Sequence, residues 1–333
     1  MTEHPPLALS LGDPAGIGPE IVAQAWSALR NTDLAFALLG DADLLGVHAP
    51  VHRLSGPGEA RGVFAHALPV LHRPLSAKAL PGTPDPAHAP AILGWIEEGV
   101  SLCLSGAASG LVTSPIAKAP LYAAGFKFPG HTEFLADLTA HAPMVGPRGP
   151  VMMLTARDLR VALVTIHIPL AAVPQALTRD GIVRVIQVTA RALQQDFGIM
   201  APRIAMCGLN PHAGESGAIG REEIDLINPA VAIARASGVN CTDAQPADSL
   251  FHEDARKAYD AVIGLYHDQA LIPVKSLDFW SGVNVTLGLP IVRTSPDHGV
   301  GYDIAGKGVA RADSLIAAIR LAADMAARRR GDA

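Results

Sequence analysis

An α/β fold is predicted by three features: short apolar runs ending in turn residues, longer Ala-rich stretches of helical period between them, and frequent punctuation by 32 glycines and 27 prolines. The runs are, in order, LALSLGDP from Leu7, FALLGD from Phe36, SGLVTSP from Ser109, VMMLTA from Val151, RVALVTIHIP from Arg160, RIAMCGLNP from Arg203 and DAVIGLYHD from Asp260. Each is short and almost evenly apolar, the pattern of a buried strand rather than of an amphipathic helix. Helical stretches are expected from Gly181 to Asp196, Glu222 to Ser237 and Asp313 to Ala327, with Arg328 to Arg330 solvated at a fraying end. Gly99 to Ala117 is uncharged, but its glycines, Pro115 and four serines predict helix end, turn and buried strand, not a membrane span. The Pro-rich segment LPGTPDPAHAP from Leu80 is expected on a surface loop, and PGHTEFLAD from Pro129 opens a helix.

Composition bounds the rest. With 333 residues, 49% hydrophobic and 17% charged, the chain has the balance of a soluble globular protein, which excludes disorder and coiled coil. The length predicts two domains or one large α/β unit. A net charge of −5 offers no global field for nucleic acid or an anionic membrane. Cys103, Cys207 and Cys241 fit neither a disulfide framework nor a CxxC motif, as expected in a reducing cytoplasm. No export signal is expected, since the first residues carry an acid and two prolines where a basic and then an apolar run would stand.

Three of the thirteen histidines share one context: His167, His212 and His267 each lie at or just past the end of an expected strand. Ligands of open α/β sheets bind outside the carboxyl ends of the strands, so these imidazoles are candidates for one divalent metal with positions left open for substrate. Asp268 is a candidate supporting carboxylate or a helix cap. At the expected helix start of PGHTEFLAD, backbone N–H groups beside Gly130, His131 and Thr132 suit an anion, although Thr132 also fits an ordinary N-cap. Lys275, Asn284 and Arg293, spaced nine residues apart, supply two cations and an amide for a phosphate or carboxylate. The glycines of LGDPAGIGPE lack the third glycine of GxGxxG and read as a strand-to-helix turn with Glu20 in the first helical turn. Neither a P-loop nor a GxSxG context for Ser114 or Ser295 is present.

Nearly the whole chain resembles the 4-hydroxythreonine-4-phosphate dehydrogenases of bacterial pyridoxine biosynthesis, the PdxA-like family. The segments that carry the resemblance are GDPAGIGPE (12–20), VTSPIAK (112–118), GHTEFLA (130–136), VTIHIPL (164–170), NPHAGESGAIGREE (210–223), PADSLF (246–251), YHDQALIPVK (266–275) and GVNVTLGLPIVRTSPDHG (282–299). The resemblance implies two α/β/α domains with a central cleft, as in isocitrate and isopropylmalate dehydrogenases, expected over 1–130 plus 300–333 and over 131–299. A homodimer with its active site at the subunit interface is implied as well. It places the metal on His167, His212 and His267, the last from the partner subunit, and the phosphorylated substrate on His131, Thr132, Lys275, Asn284 and Arg293.

The stretch DHGVGYDIAGKGVA (297–310) is similar to the adenosine-holding loop of that superfamily, which makes His298, Gly299 and Asp303 cofactor candidates. Lys275, Asp248 and Asp268 are the candidates for proton transfer. The implied reaction is NAD- or NADP-dependent oxidation of 4-phosphohydroxy-L-threonine, with one zinc, cobalt, manganese or magnesium ion. The chain departs from the usual family pattern at Ala270, at Val300–Gly301 and at Ser249. Dehydrogenases of 4-phospho-D-threonate or 4-phospho-D-erythronate, and phosphate acetyltransferases, are the rival readings.

Overall fold

The computed structural model describes residues 4–331. In chain order it contains β1 (Leu7–Ser10), α1 (Gly18–Leu29), β2 (Phe36–Gly40), β3 (Val51–Arg53), α2 (Ala60–Phe64), β4 (Leu68–His72), α3 (Ala89–Leu104), β5 (Leu111–Thr113), α4 (Lys118–Ala123) and α5 (His131–Leu138). There follow β6 (Val151–Ala156), β7 (Leu159–Leu163), α6 (Val173–Ala176), α7 (Arg179–Gln195), β8 (Arg203–Cys207), α8 (Asn228–Ala236), β9 (Asn240–Gln245), α9 (Glu253–Arg256), β10 (Ala261–Gly264), α10 (His267–Leu277), β11 (Val283–Leu287), β12 (Arg293–Pro296) and α11 (Asp313–Arg330). The chain divides into two compact units, Met1–Pro143 with Pro290–Ala327, and Met144–Leu289 with Arg328–Ala333. Helix α5 and strand β12, expected within 131–299, therefore fall in the first unit, because β12 pairs in parallel with β5 and α5 packs on α3.

In the first unit the strands run β3-β4-β2-β1-β5-β12, and every pairing is parallel. All residues of β1, β2, β5 and β12 are buried, which is why these segments read as unbroken apolar runs rather than alternating ones. The chain proceeds outward from β1 to β2 in one direction and to β5 in the other. The gap between the carboxyl ends of β1 and β5 is thus the topological switch point, where an open α/β sheet admits a ligand.

In the second unit the order is β11-β6-β7-β10-β8-β9, with β11, β6 and β7 antiparallel and β7, β10, β8 and β9 parallel. Its core joins Leu154, Leu159, Val161, Leu163, Ala205 and Val262 of the sheet to Ala270, Leu271 and Val274 of α10. At about 1.5–3 kcal/mol per buried aliphatic side chain, this contact fixes α10, and with it the position of His267, on the sheet. Helix α7 begins two residues earlier than the apolar period suggests, because the Thr178 hydroxyl caps it by accepting from Gly181 N at 3.1 Å. The three cysteines are free thiols, and burial pushes Cys103, Cys207 and Cys241 up to about 12, so none is a thiolate nucleophile near neutral pH.

Candidate functional site

Strands β7, β10 and β8 are adjacent and parallel in the second unit, and the three expected histidines leave from their carboxyl ends. His267 is the first residue of α10, three residues beyond β10. His167 lies in the loop after β7, and His212 in the turn after β8. The rings of His167 and His267 stand 5.6 Å apart between centroids. They line a pocket of about 300 Å³ with Ile166, Tyr266 and Asp268. Asp268 Oδ1 is 2.7 Å from His267 Nδ1, so a proton on Nδ1 is held by the carboxylate and Nε2 is left to ligate. A single chain does not draw His212 together with these two into a group whose ligand atoms all lie within 4.8 Å, among the described residues.

Two residues not singled out from sequence hold the histidine-bearing turns. Gln269 Nε2 donates to Gly208 O at 2.8 Å, and its Oε1 accepts from Leu265 N at 2.7 Å, so it ties the start of α10 to the end of β8. Glu223, only 2% exposed, accepts at Oε1 from the backbone N–H groups of Leu209 and Asn210, both at 2.8 Å. The segment it grips runs through left-handed conformations from His212 to Ser216, with φ values of 53, 52, 81, 44 and 56°, and only Gly214 among them lacks a Cβ. L-residues pay about 1–2 kcal/mol each for that conformation, so neighbouring groups must enforce it.

The first unit gathers positive charge. Arg293, 2% exposed at the start of β12, donates from Nη2 to Thr113 Oγ1 at 2.7 Å, and burial lowers its guanidinium to about 9. His131 is the first residue of α5, and its Nε2 is buried without a hydrogen-bond partner. Burial first, then the charges of Arg293 and Lys118, hold this imidazole well below its ordinary value. A Cβ built on Gly130, the N-cap of α5, would lie 3.9 Å from Lys118 Nζ, so the lysine reaches over the helix start. Thr132 is not the cap; it is the second residue of the helix. Ser10 Oγ and Ser114 Oγ, at the carboxyl ends of β1 and β5, are also buried without partners. An anion at this switch point would meet cations, a helix N-terminus and unsatisfied donors together. Lys118 was legible only as part of VTSPIAK, because nothing in spacing connects it to Gly130.

The expected cofactor residues lie in the first unit, in a loop locked to GDPAGIG. Ile17 N donates to Val300 O at 2.9 Å, Tyr302 Oη to Asp13 Oδ2 at 2.5 Å, and Gly306 N and Gly308 N to Glu20 at 2.5 and 3.1 Å. A Cβ on Gly16 would sit 2.6 Å from Val300 O, so this glycine serves close backbone packing. Beside the two loops runs a groove of about 400 Å³ lined by Glu20, Gln24, Ser27, His48, Gly306 and Gly308. His298 Nδ1 is 3.0 Å from Gly299 O, and its Nε2 is buried without a partner, an unmet polar atom that fits a ligand hydroxyl. Asp303 is exposed on the same loop.

The remaining candidates are in the second unit. Lys275 lies about two turns along α10 from His267, its Nζ 5.3 Å above the Phe279 ring. Asn284, on β11 opposite Leu154, keeps a buried Oδ1 without a partner. Asp248 is exposed on the turn after β9. Among the described residues, Asp41, Asp43 and His72 do place ligand atoms within 4.8 Å of one another. Their atoms are already used: His72 Nδ1 accepts from Ala42 N, Asp41 from Asp43 N and Leu75 N, and Asp43 from Arg53. This group is a loop brace.

Fold and residues together define an α/β protein with a basic, anion-competent group in one unit and strand-end imidazoles in the other. The chain belongs to the family described as pyridoxal phosphate biosynthetic protein PdxA, whose model matches residues 29–322. It is 64% identical over 327 residues to the 4-hydroxythreonine-4-phosphate dehydrogenase of Caulobacter vibrioides, covering 97% of this chain and 98% of that protein. The crystal structure of 4-hydroxythreonine-4-phosphate dehydrogenase from Klebsiella pneumoniae superposes with a TM-score of 0.84 at 36% identity, over 97% of this chain and 99% of that one. A putative enzyme of the same name from Salmonella typhimurium gives 0.87 at 34% identity, over 97% of this chain and all of that one (100%). Among the described residues no helix is long and apolar enough to cross a membrane.

Proposed function

We propose that the chain oxidises 4-phosphohydroxy-L-threonine with NAD or NADP and a divalent metal, giving 2-amino-3-oxo-4-phosphooxybutanoate, the reduced nicotinamide and a proton. The β-keto acid then loses CO2 to give 3-amino-2-oxopropyl phosphate, a step in the supply of pyridoxal phosphate. The observation that carries the reading is the delivery of His167, His267 and His212 from three adjacent parallel strands, with Gln269 bridging two of the turns. The donor set fits a divalent transition metal, because imidazoles supported by a carboxylate and by backbone leave positions open for substrate. The unmet His298 Nε2 and the groove beside the 300–308 loop fit a dinucleotide. When bound, the metal supplies a Lewis acid toward the substrate hydroxyl, and the nicotinamide supplies the hydride acceptor.

The chain's own residues do the rest. Arg293, His131, Thr132 and Lys118 bind and orient the substrate's anionic group, with His131 kept neutral so that it accepts or donates one hydrogen bond without adding charge. Asn284 turns a buried, unmet carbonyl oxygen toward a substrate donor. Lys275, Asp248 and Asp268 are the groups available to move a proton. Exposed Ile168, Leu170, Ile272, Phe279 and Trp280 flank the histidine segments, and such a concentration supports a homodimer that covers them. Three free thiols suit a reducing cytoplasm.

The test is nicotinamide reduction by chelator-stripped protein with zinc, cobalt, manganese or magnesium restored, on 4-phosphohydroxy-L-threonine beside 4-phospho-D-threonate. Metal-dependent preference for the L-amino substrate supports the proposal. Preference for the phosphothreonate moves the chain to sugar-acid oxidation, and turnover of neither, with acyl transfer to phosphate detected, makes it an acyltransferase.

A further inference from the structure

We infer that Glu223 is the positioning residue for His212: its buried carboxylate latches the left-handed turn that presents this imidazole. The inference rests on the reading of His212 as a metal ligand. His212, Glu215 and Ser216 are exposed, so side-chain packing does not stabilise their left-handed backbone. Around the segment the backbone closes short bonds, Ala213 N to Asn210 O at 3.0 Å, Ala218 N to Glu215 O at 3.1 Å and Ile219 N to Gly214 O at 3.1 Å.

Glu223 supplies the external constraint. Its Oε1 receives the N–H groups of Leu209 and Asn210, the two residues that lead into the turn, and its Oε2 receives Asn210 Nδ2 at 3.0 Å. Asn210 Nδ2 is shared with Glu222 Oε2 at 2.7 Å, so the side chain of Asn210 is clamped from both sides. The turn folds directly over the carboxylate: a Cβ on Gly214 would fall 2.7 Å from Glu223 Oε2. Glu223 also begins a single wide π turn, Glu223–Ile227, a local winding often found at functional sites. A strained turn fastened from beneath by a buried carboxylate is what is needed to fix one exposed imidazole for ligation.

Cobalt titration of the chelator-stripped, full-length protein tests this, with the d–d absorption and the calorimetric Kd as readouts and circular dichroism and melting as the fold check. Glu223→Ala removes the latch and is expected to weaken cobalt binding about 10–100-fold and to alter the d–d spectrum. Glu223→Gln keeps one oxygen for the two backbone amides but sets its NH2 against Asn210 Nδ2; it should bind about 3–10-fold more weakly and decides the matter if the alanine variant does not fold. His212→Ala is the control and should lose binding outright. Wild-type Kd and spectrum in folded Glu223 variants, with His212→Ala defective, overturn the latch alone. Wild-type binding by His212→Ala, or no cobalt uptake by the unmodified protein, overturns the metal reading beneath it.

Discussion

Replacing Arg293 by Met is expected to make the ligand-free protein more stable while destroying its anion affinity. Arg293 is 2% exposed, and burial lowers its guanidinium from the ordinary arginine range to about 9. At about 1.4 kcal/mol per pH unit, that depression corresponds to about 5 kcal/mol of charge desolvation. A base whose folded pKa lies below its unfolded one bears this penalty unchanged at every pH below the folded value, and sheds it only as pH rises above about 9. Between pH 7 and 8 the penalty is therefore constant and complete. Exchange of a buried charge for an apolar side chain of similar length returns about 1–4 kcal/mol. For a unit of this size that is a rise in melting temperature of about 2–16 °C. Substrate at 100 times its Kd should stabilise the unmodified protein by about 2.7 kcal/mol and the variant hardly at all. Differential scanning fluorimetry at pH 7.5, with and without inorganic phosphate or 4-phosphohydroxy-L-threonine, reads both effects. A variant that melts lower than the unmodified protein without ligand, yet keeps the ligand-induced rise, would show that Arg293 is a brace on Thr113 and receives no anion.

Lys118→Ala should raise KM for the phosphorylated substrate about tenfold with kcat nearly unchanged, and the difference should shrink in high salt, because one exposed charge-assisted contact is lost. Steady-state kinetics at low and high ionic strength check this. Because His131 is held well below 6.5, the unfolded chain takes up a proton that the folded one refuses, so stability should fall as pH drops below 6.5, by up to about 1.4 kcal/mol per pH unit, and His131→Gln should flatten that slope in urea titrations. Gln269→Leu strands Gly208 O and Leu265 N. About 1–3 kcal/mol of stability should disappear in urea unfolding, and cobalt affinity should fall with it, since the turns bearing His212 and His267 lose their bridge.

The strands that sequence made legible are those buried on both faces. LALS, FALLG, LVT, VMMLTA, RIAMC and AVIG are where the apolar runs placed them. Of those it missed, β3 is partly exposed, β9 reads NCTDAQ and β12 begins with Arg293, whose burial no composition rule anticipates, while the largely buried β4 and β11 are interrupted by Pro69 and Asn284. The candidate site divides the same way. Histidines past strand ends are visible because the strands are. Glu223 and Gln269 are not, since a carboxylate or amide that works by gripping backbone N–H and C=O groups leaves no spacing to read. NPHAGESG advertises a turn through its proline and glycines, but the left-handed conformation of His212, Ala213, Glu215 and Ser216 contradicts their residue types and is imposed from outside the segment.

Proximity of ligating residue types is a poorer guide to a metal centre than the state of their lone pairs. Asp41, Asp43 and His72 lie closer together than the strand-end histidines, yet backbone amides and Arg53 already occupy them, and drawing in an ion would strip the loop of those bonds. At His267 the arrangement is reversed: the carboxylate takes Nδ1, and Nε2 is kept for another partner. Behind the turn of His212, Glu223 consumes the backbone donors and leaves the exposed imidazole out of the bonding. A brace spends its polar atoms inward; a binding site spends only the supporting ones. By that criterion the two clusters separate on hydrogen bonds alone, and in the proposed reading His131 Nε2, Asn284 Oδ1 and His298 Nε2, buried and unspent, are among the atoms offered to substrate and dinucleotide.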